Sequence, residues 1–234
     1  MLVLAIETST QHTSVALGAE AGIVGSIELG GETANHELIV PALDRLLRWV
    51  DVDLAHVEGI VVDVGPGLFT GMRVGLATAK TFAQALSIPI VGLASLDVLA
   101  FMHRHVRRTI CAVLDARRKE VFYAFYRTAP GGVQRLTDFQ VGPPGHLVAE
   151  LEARAEETLV VGSGGVVYRR DLEAVVDPDG FGSTERAFPS AAAMVELAVP
   201  RFLREEHDSV FDLEPIYLRK TDAEIAWDQR TAGA

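Results

Sequence analysis

Residues 2–29 read LVLAIETSTQHTSVALGAEAGIVGSIEL, three apolar, β-branched runs at Leu2–Ile6, Thr13–Leu17 and Ile23–Leu29 with short polar or glycine-bearing breaks between them. Runs of this length and composition predict a three-strand meander. Beyond it the spacing of apolar residues changes. The pattern predicts a helix over His36–Val50, a strand over Gly59–Val64, a helix over Phe69–Leu86, a short strand over Ile88–Gly92 and a helix over Leu96–His103. Residues 109–141, TICAVLDARRKEVFYAFYRTAPGGVQRLTDFQV, then start the plan again, with strands near Thr109–Asp115, Glu120–Arg127 and Val133–Val141. A helix over Pro144–Ala155, a strand over Thr158–Gly162 and an amphipathic helix over Ser190–Glu205 follow. One α/β plan used twice implies two lobes with a cleft between them.

The boundaries drawn from this pattern are residues 1–104 for the first lobe, 105–206 for the second and 207–234 for a C-terminal tail, in which Glu214–Arg219 reads as ordered and Asp228–Ala234 as frayed. A duplicated βββαβα lobe resembles the two-lobed actin-like ATPase (ASKHA, ribonuclease-H-like) fold. That likeness implies nucleotide contacts at Glu7-Thr8-Ser9-Thr10, at Leu114-Asp115-Ala116-Arg117 and at Val161-Gly162-Ser163-Gly164-Gly165. Glu7, Ser9, Asp115 and Gly164 are therefore the candidate cofactor-binding residues. The last stretch suits a phosphate or adenosine by its glycines, and equally suits a turn that binds nothing.

Composition narrows the classes. The chain has 234 residues, is 49% apolar and carries a net charge of −11. Such an acidic balance argues against tracking a nucleic-acid backbone alone, the basic clusters at residues 103–108 and 117–119 being local exceptions. No apolar run approaches the ~20 residues of a membrane span and no basic leader precedes Glu7, so a cytoplasmic location is expected. The single cysteine, Cys111, lies inside the apolar run Thr109–Leu114 and reads as a buried, inert thiol. Histidines are scattered. His36 finds Ile39 and Val40 at helical spacing, and His103 and His105 would point to different sides of a helix, so no metal site is expected.

The stretch GPGLFTGMRVG, residues 65–75, has the glycines of a phosphate loop but ends in Gly71-Met72-Arg73, not in the Gly-Lys-Ser/Thr of a P-loop. Gly71, Gly75, Ala79 and Ala83 recur every four residues, which sets them on one helix face with Met72, Leu76 and Phe82 beside them. A small-residue face admits a second helix closely. It predicts a partner groove, the alternative being that the same face packs inside its own lobe. The preceding helix has the apolar set Ile39, Leu43, Leu46, Leu47 and Val50, Asn35 as a candidate N-cap, and Pro41 marking either a kink or the start of its regular part.

Taken together, Ile6-Glu7-Thr8-Ser9, Asn35-His36-Glu37-Leu38 with Pro41-Ala42-Leu43, GPGLFTGMRVGLATAK, Asp115-Ala116-Arg117-Arg118-Lys119-Glu120-Val121-Phe122 and Pro215-Ile216-Tyr217-Leu218-Arg219 resemble the TsaB (YeaZ) family, in order and along nearly the whole chain. Two local departures are the absence of a serine between His36 and Glu37, and Leu68 where serine is common. The resemblance implies a non-catalytic subunit that binds and activates TsaD in threonylcarbamoylation of adenosine 37 of tRNAs reading codons that begin with A. It implies a homodimer when TsaD is absent, a ternary assembly with TsaE, and tRNA contact only through the complex. No cofactor is required by the chain itself, with ATP or ADP a ligand of the assembled complex. TsaD carries its metal on an H-x-x-x-H after the strand that follows the second helix; here residues 92–100 hold no histidine. The interface expected on the first two long helices is His36, Ile39, Leu43, Leu46, Gly71, Met72, Gly75, Leu76, Ala79 and Ala83. The competing readings are a small-molecule kinase of the actin-like superfamily, which would need cleft carboxylates such as Glu7 and Asp115, and a metallopeptidase-like protein, which would need a metal site.

Overall fold

The computed structural model describes residues 1–31 and 36–219. β1 (Val3–Glu7), β2 (Thr13–Ala19) and β3 (Gly22–Leu29) form the meander, and β4 (Gly59–Asp63) and β5 (Ile90–Leu93) extend it in the order β3-β2-β1-β4-β5. β1 pairs antiparallel with β2 and parallel with β4. The second sheet begins alike, with β6 (Thr109–Arg117) antiparallel to β7 (Glu120–Ala129) and parallel to β10 (Thr158–Val161). Its third strand is split into β8 (Gly132–Arg135) and β9 (Gln140–Gly142), both pairing with β7. The break falls where the Leu136 amide turns to the Phe125 carbonyl and the Phe125 amide to the Thr137 hydroxyl. A fifth strand is reduced to one parallel bridge, Val160 with Phe181. The result is the two-lobed actin-like fold.

Alternation along β1 decides what covers each side of the first sheet. Leu4 and Ile6 face α1 (Ile39–Val50) and α2 (Phe69–Leu86), whereas Val3 and Ala5 face α3 (Ser95–Phe101) and α7 (Ala191–Leu203). In the second sheet Ile110, Ala112 and Leu114 pack on Leu96 and Leu99 of α3, and Cys111 and Val113 lie on the side of α4 (Pro144–Arg154). α3 thus serves both cores, which is why nearly all of its side chains are buried. α5 (Ser163–Val167) and α6 (Arg169–Leu172) complete the second lobe.

α7 is grouped with the second lobe by chain order, yet it covers the first: Met194, Val195, Ala198 and Phe202 pack on Val3, Ala16 and Val61. Residues 207–219 return with it. Asp208 accepts from the Gly92 amide at 2.7 Å, the Ile216 amide donates to the Val64 carbonyl at 2.7 Å, and Arg219 pairs with Glu120 of the second lobe at 2.9 Å. The segment is a strap across both lobes. The candidate N-cap Asn35 and the segment Asp228–Ala234 lie outside the described residues. Pro41 sits in the first turn of α1, where its missing N–H costs no intrahelical bond.

Candidate functional site

The cleft is built from ends of strands. Ser9, Thr10 and Gln11 of the β1–β2 turn, Gly67 and Leu68 ahead of α2, Leu114, Asp115 and Arg117 of β6, Ser163 and Val167 of α5, and Phe188 enclose about 70 Å³. A site for a drug-sized ligand takes about 300–1,000 Å³. Two contacts hold the lobes together at the rim: Arg117 Nη2 donates to Gln11 Oε1 at 3.0 Å, and the His12 and Phe188 rings stack at 3.6 Å. Arg117 belongs to a stretch the sequence already marks, whereas Gln11 and Phe188 were not singled out, because only the fold brings them to the same rim.

Of the four candidate cofactor residues, two line this cavity. Ser9 does so, as does Asp115, whose Oδ1 accepts the Arg117 amide at 2.9 Å and lies 3.3 Å from the Tyr168 hydroxyl that donates to it. Gly164 does not reach it: α5 has five residues, and a Cβ at Gly164 would press on Val113, so the glycine serves close packing of helix on strand. Glu7 is a correction as well. It is fully buried, at the end of β1 beside Asp63 at the end of β4, and no ligand reaches it in this arrangement. Ser9 Oγ lies 2.7 Å from Glu7 Oε1 and 3.1 Å from Asp63 Oδ2, and Asp63 Oδ1 accepts from the Gly65 amide and the Ser95 hydroxyl. Burial, then the neighbouring Asp63, pushes the Glu7 carboxyl well above its ordinary range; burial raises Asp63 to about 6.

The small-residue face of α2 is the third correction. Gly71, Met72, Gly75, Leu76, Ala79 and Ala83 are all buried in their own lobe. A Cβ at Gly71 would collide with the Thr8 carbonyl and one at Gly75 with the Thr8 hydroxyl, while Thr8 Oγ1 donates to the Gly71 carbonyl at 2.8 Å. The glycines let α2 sit directly on the β1–β2 turn. A helix on a sheet must bury one face, and here it is the one without side chains to obstruct it. Ile39, Leu43 and Leu46 likewise pack into the lobe, although Leu43 also forms part of the floor of the groove on its outer side. The His36 side chain lies outside the described residues.

What α1 and α2 present outward is different. Val40 is 55% exposed and Trp49 64% exposed. Val40, Leu47, Val52, Leu54 and Phe82, edged by Asp44, Arg48, Asp51 and Asp53, line an open, mostly apolar groove of about 690 Å³. This groove is larger than the cleft. The basic stretch at 103–108 is partly spent on ion pairs, Arg104 with Glu196 at 2.7 Å and Arg108 with Asp179 at 2.6 Å. Cys111 is buried and burial pushes its thiol up, away from a nucleophile's range. Among the described residues no three His, Cys, Asp or Glu side chains come together as a metal site, and no helix is long and apolar enough to cross a membrane.

Two actin-like lobes with a small-residue helix seated on the β1–β2 turn define the class, and the family model for TsaD, tRNA N6-adenosine threonylcarbamoyltransferase, matches residues 31–227. The tRNA threonylcarbamoyladenosine biosynthesis protein TsaB of Bacillus subtilis is 32% identical over 97% of this chain and 98% of its own length; that of Escherichia coli is 28% identical over 97% of each. The solved structure of YeaZ from Pseudomonas aeruginosa superposes with a TM-score of 0.78 at 26% identity, covering 93% of this chain and 99% of that one. The chain belongs to the TsaB family of tRNA threonylcarbamoyladenosine biosynthesis proteins.

Proposed function

We propose that this chain is the non-catalytic partner of a TsaD, binding and activating it for threonylcarbamoylation of adenosine 37 in tRNAs that read codons beginning with A. The observation that carries the reading is the apolar groove along α1 and residues 51–56, closed by Phe82 of α2, set against a cleft whose carboxylates are buried or already bonded. An exposed apolar surface with a charged rim is what a partner covers. The same face joins two copies of the chain when TsaD is absent. TsaE joins as a third component, tRNA is met through the assembly, and the complex works in the cytoplasm. ATP or ADP is a ligand of that assembly; a nucleotide enters the cleft of this chain only if Arg117 parts from Gln11 and the lobes separate.

The test is reconstitution of tRNA modification from purified TsaD and its other components, with and without this chain. The reading predicts that activity requires the chain and that the chain alone turns over no nucleotide. Full modification without it, or ATP hydrolysis by the isolated chain, would overturn the reading.

A further inference from the structure

The contacts around Ser9 can be counted in hydrogens. Its Oγ sits within hydrogen-bond distance of two carboxylate oxygens, Glu7 Oε1 at 2.7 Å and Asp63 Oδ2 at 3.1 Å, yet a hydroxyl has one hydrogen to donate. Two oxygen–oxygen gaps need two hydrogens. The second must come from a carboxyl group. Asp63 already accepts from the Gly65 amide at 2.6 Å and the Ser95 hydroxyl at 2.7 Å, so with Ser9 it gathers three donors, the setting of an anion. Glu7 accepts only the Ser9 amide at 2.8 Å, and its Oε2 is buried without a partner. That is the setting of a neutral acid.

We propose that Glu7 and Asp63 hold one proton between them, resting on Glu7 and donated to Ser9 Oγ, and that this proton fastens the β1–β2 turn of the cleft to the turn that launches α2. The fastening has visible parts: Ser9 belongs to the β1–β2 turn, its carbonyl accepts the Leu68 amide at 2.6 Å, and Asp63 holds the Gly65 amide beyond the end of β4. Ser95 ties in the start of α3. The outlying charges that act on the pair are acidic too, Glu28 of β3 on Glu7 and Asp97 of α3 on Asp63, with His12 beside Glu28; Gly71 and Gly75 of α2 lie against Thr8, next to Glu7 in the chain. Loss of the proton would set two buried carboxylates against each other at this joint.

Unfolded carboxyls ionise near pH 4. Above about pH 6, where Asp63 has ionised, the folded chain therefore holds one proton more than the unfolded chain, until Glu7 ionises. Stability is retained at low pH and falls as pH rises. One extra bound proton makes the folded-to-unfolded ratio fall about tenfold per pH unit over that window.

The experiment compares urea unfolding of the wild-type chain and Glu7→Gln from about pH 6 upward, which cancels the other titrating groups; the ratio of their folding constants should change about tenfold per pH unit, to the disadvantage of the wild type. Parallel curves would overturn the proposal. In the same samples, the hydrogen-exchange protection of the Leu68 amide should drop with pH in the wild type and stay level in the variant; a level wild-type curve would overturn the fastening. Should Glu7→Gln not fold, infrared spectra of the wild type decide: a protonated-carboxyl stretch at neutral pH supports the shared proton, and its absence refutes it.

Discussion

Thr8 is the residue on which the account of α2 turns. Its carbonyl and hydroxyl fill the space that side chains at Gly71 and Gly75 would need. Replacing Gly75 by Leu is therefore expected to destabilise the monomer by ~1–3 kcal/mol or more through overpacking, read as a lower urea midpoint, and not merely to weaken association. A spacing of four shows in the sequence that the small residues share a face; it carries no information on whether that face looks at its own sheet or at a partner, because both need small side chains. The β6–β7 turn offers the opposite case. Arg117, Arg118 and Lys119 all have φ near +60°, the left-handed region that costs a non-glycine residue ~1–2 kcal/mol. Lys119→Gly should raise stability by about 1 kcal/mol, seen as a higher melting temperature. Composition shows the charges of these residues and is silent on their backbone.

At the scale of elements, most of the fold was legible because each strand and helix announces itself by period. The meander at 2–29, the helix Phe69–Leu86 and the restart at residue 109 follow from alternation and apolar spacing alone. What was not legible is which sheet a helix covers. α7 has the apolar period of any amphipathic helix, and only the tertiary structure places Met194 and Phe202 on the first sheet. Glu214–Arg219 was legible as ordered, but the course of the strap at 207–219 was not, since main-chain bonds such as Ile216 to Val64 leave no mark in side-chain pattern. Leu213 packs on Gly92 and the first core. Leu213→Ala should cost ~1–2 kcal/mol, less than a fully buried leucine because the site is partly open, and denaturant titration measures it. No change would mean that the strap is loosely held.

For the whole molecule, the candidate site divides into a filled cleft and an open groove. The cleft was legible as three loops, and Ser9 and Asp115 do line it; Glu7 was misjudged, because a carboxylate at a strand end gives no sign of whether it points into solvent or under the neighbouring strand. Part of the groove was legible, since Leu43 and Leu47 belong to the apolar set of α1 and Phe82 flanks the small residues of α2, but Val40, Val52 and Leu54 fall outside the positions that pattern reading selects. Val40 stands on that outward face and takes no part in the core. Val40→Asp is expected to leave the monomer's melting curve within ~0.5 kcal/mol of the wild type and to weaken binding of TsaD at least about tenfold, a loss of ~1.4 kcal/mol. The direct measurement is a calorimetric titration of TsaD with the wild-type chain and with Val40→Asp, both shown to be folded. Tight binding by the wild type and a tenfold or greater loss in the variant is the predicted result; equal affinity of the two would contradict the assignment of this face to the partner.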